Sequence, residues 1–344
     1  MLRGIYAFDH LPKTPTPTLN GVMVPFAQYL GAQSPVVNPT GLGVDPDGYI
    51  GTYVVAATNV AFDLTGVVPP NPSKVTFGFR VKNLAVNAGS HGLLYITDSP
   101  TPNSTSYYMF ALTAGNAPWS QTVGKETYVE VTYDFVAFTC TILADGVAQT
   151  VAQGNALSAQ VKAAFTAGTF AVNFALSNAG GNRYAIRDFY VLDAVVGDGM
   201  TGPLGSQRMF PITTDSADGA GWTPSAGGTA MDTLNAPLPA TPYVLSPVDK
   251  TPLVTSLKTT APPGSRVNGI SLVISGTSAG DSPSTSKIEI SQGGSNAPVK
   301  FVPVAKTGTY GASLGVYPKA PDGTLWDLAK LDATTLKLTP DTAS

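Results

Sequence analysis

Short apolar stretches of period two, each closed by a turn containing glycine, proline or aspartate, recur along this 344-residue chain and constrain its fold most. Val75-Thr76-Phe77-Gly78-Phe79-Arg80-Val81 alternates apolar with other residues, as a strand with one face in a core does. Tyr128-Val129-Glu130-Val131-Thr132-Tyr133 repeats the pattern, setting Val129 and Val131 opposite Glu130 and Thr132. The apolar run from Phe138 to Leu143 leads into Asp145-Gly146, a favoured hairpin turn pair, with Val147 to Val151 as the return strand. Further strands are expected at 93–96, 107–112, 169–176 and 184–192, and one short helix at 158–165 with Ser158 as its N-cap. With 36 glycines and 29 prolines, turns are abundant without reaching a disordered composition. The prediction is an all-β fold of packed sheets.

A single core stops growing at roughly 250–300 residues, so two domains are expected. Residues 1–197 form the first, with residues 1–50 as an irregular N-terminal arm. Residues 198–248 form a Gly/Pro-rich connection carrying one strand from Leu204 to Ile212. Residues 249–344 form a smaller C-terminal β-sandwich with strands at 253–257, 267–275, 286–291, 299–304 and 311–317. A helical turn at 325–331 and a final edge at Leu336-Lys337-Leu338 close it.

Only 12% of residues are charged, about half the usual ~25%. So little charge fits a surface of hydroxyls and glycines, or one covered by neighbours in an assembly. The net charge is −3 and no basic run occurs, which argues against a nucleic-acid partner, since phosphate tracking needs clustered Lys and Arg. The one cysteine, Cys140, sits in an apolar strand and reads as a buried, inert thiol. No apolar stretch approaches the roughly 18 residues of a bilayer span, and the N-terminus lacks a signal-peptide core. Synthesis in the cytoplasm without membrane insertion is therefore expected.

Reactive constellations are absent from the pattern. Glycosidic cleavage generally needs two carboxylates between about 5 and 9.5 Å apart. Of the three glutamates, Glu126, Glu130 and Glu289, the first two would lie about 13 Å apart on one strand face at ~3.3 Å per residue. His10 and His91 are isolated, and neither a Gly-x-Ser-x-Gly elbow nor a phosphate-binding glycine loop occurs. No catalytic residue, no cofactor and no enzyme activity are expected. Asp98 with Asn103, and Asp215 with Asp218, are oxygen donors in turns, where aspartate more often caps its own backbone than holds calcium; no metal is assigned. The candidate glycan platform is Tyr107, Tyr108 and Trp119 with the amides of Asn103 and Asn116. Against it, adjacent strand residues face opposite ways, so one of Tyr107 and Tyr108 enters the core, and Trp119 serves equally well as the cover of a sandwich end.

The order of Ile5-Tyr6-Ala7-Phe8-Asp9, the Glu126–Asp134 stretch, the Thr141–Val147 hairpin and Ile186–Asp193 resembles the concanavalin A-like lectin/laminin-G jelly roll. That resemblance implies that residues 128–133 and 139–147 are neighbours in one sheet, and that Ile186–Asp193 is a late strand packing back onto the core. Gly202-Pro203-Leu204-Gly205-Ser206-Gln207-Arg208-Met209-Phe210, then Asp215, Asp218-Gly219, Trp222 to Gly227 and Pro321 to Trp326, resembles bacteriophage virion structural proteins. It departs from their pattern at Ser206-Gln207, where an acidic residue is usual, and at Leu336, where glycine is usual. The resemblance implies a non-enzymatic virion subunit of the tail, neck or collar, fibre or capsid decoration. Its partners would be other virion proteins and copies of itself. The alternative it leaves open is a host-surface glycan or receptor-binding module on the virion, with cell-surface polysaccharide as partner.

Overall fold

The computed structural model describes residues 1–6, 36–37, 42–52, 58–85, 91–97, 106–112, 122–149, 159–177, 181–194, 202–225, 227–235, 244–246, 251–276, 284–304 and 311–342. The chain is all-β and divides into two compact units, Met1–Asp9 with Lys13–Met209, and His10–Pro12 with Phe210–Ser344.

The first unit holds strands β1 (Leu2–Tyr6), β2 (Val36–Val37), β3 (Leu42–Val44), β4 (Ile50–Thr52), β5 (Thr58–Asp63), β6 (Lys74–Ala85) and β7 (His91–Thr97). It continues with β8 (Ser106–Leu112), β9 (Glu126–Asp134), β10 (Thr139–Ala144), β11 (Val147–Gln149), helix α1 (Ala159–Ala167), β12 (Ala171–Ser177) and β13 (Arg183–Asp193). Hydrogen bonding gives a larger sheet in the order β11-β10-β9-β6-β13, with β1 and β4 both beside β13 and β3 beside β4. A smaller sheet runs through β8, β7, β12, β5 and β2, tied to the larger by the single pair Ser177 and Arg183. Several neighbours in space are distant in sequence, among them β6 with β13, β1 with β13 and β12 with β5, as in a jelly roll wound back and forth between two sheets.

Aromatic side chains fill the space between the sheets. Phe79 of β6 meets Phe174 of β12 edge-on at 4.9 Å, and Phe189 of β13 lies 4.7 Å from Phe62 of β5 and 5.2 Å from Phe174. Phe62, Phe77, Phe79, Phe174 and Phe189 are all fully buried, so the period-two positions of the sequence do point inward. Helix α1 closes one end through Phe165, which packs 4.0 Å from Phe170. The Asp145-Gly146 hairpin turn forms with both residues left-handed (φ 49° and 80°), the twist-matching geometry those residues favour. The return strand β11 ends at Gln149, and the Ser158 cap lies outside the described residues.

The second unit holds β14 (Ile212–Asp218), β15 (Thr223–Pro224), α2 (Ala230–Leu234), β16 (Val244–Leu245), β17 (Leu253–Thr259), β18 (Ile270–Gly276) and β19 (Ser284–Gln292). It ends with β20 (Ser295–Asn296), β21 (Lys300–Val304), β22 (Gly311–Tyr317), α3 (Leu328–Asp332) and β23 (Thr334–Thr342). Its main sheet runs β14-β17-β23-β19, with β20 and β21 beside β19, over a core that includes Leu257, Ile288, Ile290, Tyr317, Trp326 and Leu331. Trp326 donates its indole N–H to the Tyr317 carbonyl at 2.8 Å, satisfying a polar group inside this core.

Two expected elements fall elsewhere. The last strand is central rather than an edge: Leu336 pairs with Thr255 on one side and Ile290 on the other, and Leu338 with Leu253 and Ile288. Its leucines pack against the core, and that burial on one face draws β23 between two partners. The strand expected from Leu204 to Ile212 is also displaced, to Ile212–Asp218. In the segment 204–209 the N–H groups of Leu204, Gly205 and Met209 go to carboxylates instead of a ladder, as described next.

Candidate functional site

On the outward face of the larger sheet, β9 presents Glu126, Tyr128, Glu130 and Thr132, β6 presents Thr76, Gly78, Arg80 and Lys82, and β13 presents Arg187, Asp188 and Tyr190. Sequence alternation suggests that this face meets solvent. Instead Arg80, Tyr128, Glu130, Thr132, Asp188 and Tyr190 are all buried. The segment Gly202–Met209 lies across them as a strap.

Each carboxylate has an internal task. Gly78 pairs with Glu130 on one side and Tyr190 on the other. Because glycine has no Cβ, the Tyr190 ring crosses directly over it, where a methyl group would overlap the ring. The Tyr190 hydroxyl thereby donates to Glu130 Oε1 and accepts from the Tyr128 hydroxyl at 3.3 Å. The same Glu130 oxygen accepts the backbone N–H groups of Leu204 at 2.7 Å and Gly205 at 3.2 Å. Gly205 is left-handed (φ 75°), which turns successive N–H groups towards one anionic oxygen, as in an anion nest.

Asp188 sits at a bulge. Arg187 pairs with Arg80 and Tyr190 with Gly78, so Asp188 and Phe189 together oppose Phe79. Its backbone is left-handed (φ 54°), a conformation aspartate tolerates better than most residues, and the bulge aims its carboxylate outward. Asp188 Oδ1 accepts the Met209 N–H at 3.2 Å. Its Oδ2 lies 3.1 Å from Arg187 Nε and 3.3 Å from Arg80 Nε, ionic contacts without the alignment of good hydrogen bonds. Arg80 instead donates Nε to the Gln207 carbonyl at 3.0 Å and a terminal N–H to Ser206 Oγ at 2.7 Å. Glu126 accepts from Tyr49 and Arg80, and from Arg208 of the strap at 3.0 Å.

Electrostatics follow from this packing. Burial pushes the Tyr190 and Tyr128 phenols far above their ordinary range, and the Glu130 charge adds to both. Burial likewise raises Tyr49, helped by its hydrogen bond to Glu126. For Glu126, burial acts upward, but the Tyr49 hydrogen bond and the Arg80 and Arg208 charges outweigh it and hold the carboxyl below its usual range. Asp188 is the opposite case: burial keeps it above its usual range despite Arg187 and Arg80. Three carboxylates and three guanidiniums thus form one balanced layer. Much of its hydrogen-bonding capacity is directed at the strap.

The platform expected at Tyr107, Tyr108, Trp119, Asn103 and Asn116 is placed only in part. Tyr107 and Tyr108 belong to β8, which pairs with β7 alone among the described strands, and their side chains lie outside the description. Trp119, Asn103 and Asn116 lie outside the described residues, as do Asp98 and His10. Asp215 pairs with Lys258 at 3.6 Å in β14, and among the described residues no three His, Cys, Asp or Glu side chains converge as a metal site would require. Cys140 is half-buried in β10 and its thiol is pushed up to about 12 by burial.

A concavity of about 290 Å³ opens near α1, with Phe135 and Phe165 as apolar wall, Asn71, Ser73 and Thr166 as polar groups, and Lys162 as its cation. The Lys162 ammonium lies 4.1 Å from the centre of the Phe138 ring. Phe138 is 46% exposed and left-handed (φ 55°), an uncommon state for a bulky side chain.

The strap escaped the sequence reading because glycine, proline and serine there resemble any linker. A signal was present: in a chain so poor in charge, Arg80, Lys82, Glu126, Glu130, Arg187 and Asp188 gather on three strands.

No family model matches this chain, and no curated protein matches it. Among solved structures it is similar to a sialidase (14% identity, 48% of this chain and 17% of the sialidase, TM-score 0.30), so the chain spans about a sixth of that enzyme. It is also similar to a Lotus tetragonolobus seed lectin (12% identity, 47% and 93% covered, TM-score 0.30). A third is the N-terminal CBM22-1-CBM22-2 tandem of Paenibacillus barcinonensis Xyn10C (11% identity, 100% and 90% covered, TM-score 0.29). The fold class is that expected: an all-β chain whose first unit winds between two sheets as a jelly roll does, followed by a second, smaller β unit. Among the described residues no helix is long and apolar enough to cross a membrane.

Proposed function

We propose that this chain is a non-enzymatic structural subunit of a bacteriophage particle, working through protein–protein interfaces with other virion proteins and with its own copies. One observation carries the non-enzymatic part. The acidic face of the larger sheet, where a carbohydrate-cleaving site would be sought, is covered by the chain's own strap, with Glu130 and Asp188 buried and engaged by internal donors. Scarce charge and exposed apolar side chains such as Val136 (76%) and Val147 (64%) favour an outside that neighbouring subunits cover. The likeness of the Gly202–Phe210 and Pro321–Trp326 runs to virion proteins supports the particle assignment. Mass spectrometry of purified particles is the test: the chain should be a stoichiometric component, and its absence refutes the assignment. Incubation with host polysaccharides should release no sugar; turnover abolished by Glu130→Gln would overturn the non-enzymatic reading.

A second reading, a host-glycan-binding module on the same particle, is favoured by the concavity beside α1. The cavity is lined by two rings, hydroxyls, an amide and the Lys162 ammonium, and that ammonium also lies against the exposed Phe138 ring; these are groups of the kind that contact a sugar. Binding on a glycan array that survives in wild type and disappears in Phe138→Ala would support it. An array with no binding at all would refute this second reading.

A further inference from the structure

The strap is held in an unusual way. Within six consecutive residues, Leu204 and Gly205 give their N–H groups to Glu130, Ser206 and Gln207 receive Arg80, Arg208 reaches Glu126, and Met209 gives its N–H to Asp188. Most of these contacts read backbone, and all come from three adjacent strands of one sheet. Gly205, Ser206 and Arg208 are exposed, and Leu204 and Met209 are only half-buried, so little apolar area holds the segment down. A segment fixed by charge-assisted hydrogen bonds with little burial opens more readily than a core strand.

We propose that this sheet face is a peptide-recognition surface for residues 204–209, and that within an assembled particle it accepts the segment from a second copy of the chain. The proposal rests on the reading of a copy-repeated subunit. Seven residues, 195–201, join the end of β13 and Ala194 to the strap. So short a tether gives the chain's own segment an effective concentration on the order of millimolar, so an isolated copy binds itself. Copies repeated on a particle present their segments at comparable local concentration. The recognition needs nothing beyond the segment, so exchange replaces each contact like for like, the usual low-cost route to interlocked subunits.

The probe is a labelled synthetic peptide of residues 202–209 with blocked ends, titrated against the full-length chain. Leu204→Pro with Arg208→Ala removes one N–H and the guanidinium from the resident segment and leaves the face intact. This double variant should bind the peptide at least tenfold more tightly than wild type, and adding Glu130→Gln should reverse the gain. Equal binding to all three, or none, overturns the proposal. If near-ultraviolet circular dichroism shows the proline variant misfolded, Arg208→Ala alone decides: its side chain is exposed, and a failure to raise peptide binding is equally fatal. These outcomes are independent of particle composition, so the subunit reading and the peptide-binding face fail separately.

Discussion

Gly78 offers the sharpest check on how the buried polar layer is built. In most strand interiors a glycine weakens the sheet, and alanine in its place gains about 0.5–1 kcal/mol. Here a Cβ would overlap the Tyr190 ring at its Cε1. Relieving that overlap by shifting a packed ring costs about 1–3 kcal/mol. The shift also breaks the Tyr190 bond to Glu130, a hydrogen bond to a charged group worth about 1.5–3 kcal/mol. Gly78→Ala should therefore destabilise the first unit by about 2.5–6 kcal/mol. With Tyr190→Ala in the background the obstruction is gone, and the same substitution should be neutral or stabilising by up to about 1 kcal/mol. Urea denaturation of the four chains, followed by circular dichroism, yields the coupling directly. If Gly78→Ala costs the same with and without the tyrosine, the ring does not depend on the glycine and the account of this face is wrong.

Asp188→Asn keeps a side chain that tolerates the left-handed bulge but leaves Arg80 and Arg187 facing a neutral group. Removing one partner of a buried charge set costs about 3–5 kcal/mol, and a loss below 1 kcal/mol in urea would refute the ionic role. Glu126, held below its ordinary value of 4.5, contributes stability that is present above that pH and lost as pH falls through its lower folded value. Glu126→Gln should flatten the acid side of the stability profile below about pH 4.5, and an unchanged acid slope would remove Glu126 from the cause. In the second unit, Trp326→Phe should cost about 1–3 kcal/mol by orphaning the Tyr317 carbonyl, and Trp326→Ala about 3–5 kcal/mol through the added cavity, both read by thermal unfolding.

The framework was legible because core strands announce themselves. Phe77, Phe79, Val129 and Val131 fall on one face by simple alternation, and Asp145-Gly146 fixes its turn by backbone chemistry alone. What stayed hidden depends on distance in the chain. Glu130 acquires its meaning only through Leu204 and Gly205, 74 and 75 residues away, and a linker-like composition gives no hint that its amides are the ligand. The last strand illustrates the same limit: Leu336-Lys337-Leu338 shows that a strand exists, but its two neighbours are set by topology. Asp188 marks a third kind of blindness, since a bulge shifts which side of the sheet a residue faces and breaks the parity on which alternation relies.

The distribution of charge then bears on function. A chain with few ionic side chains would be expected to keep them outside for solubility. This one gathers Glu126, Glu130, Asp188, Arg80 and Arg187 onto one sheet face, where burial of Glu130, Asp188 and Arg80 makes their contacts stronger and each omission more costly. Such a layer gives little advantage to a free-standing globule, because replacing buried ion pairs with apolar residues is often neutral or stabilising. It does give register: a strap read through its backbone at both ends, by Glu130 and by Asp188, can be seated in one position only. Register matters most to a protein whose surface must match copies of itself, and the strap leads straight into Phe210, the first residue of the second unit's main span. On the proposed subunit role, if leucines replaced Glu130, Asp188 and Arg80 and the proposed particles still assembled with unchanged geometry, the specificity assigned to this layer would have no basis.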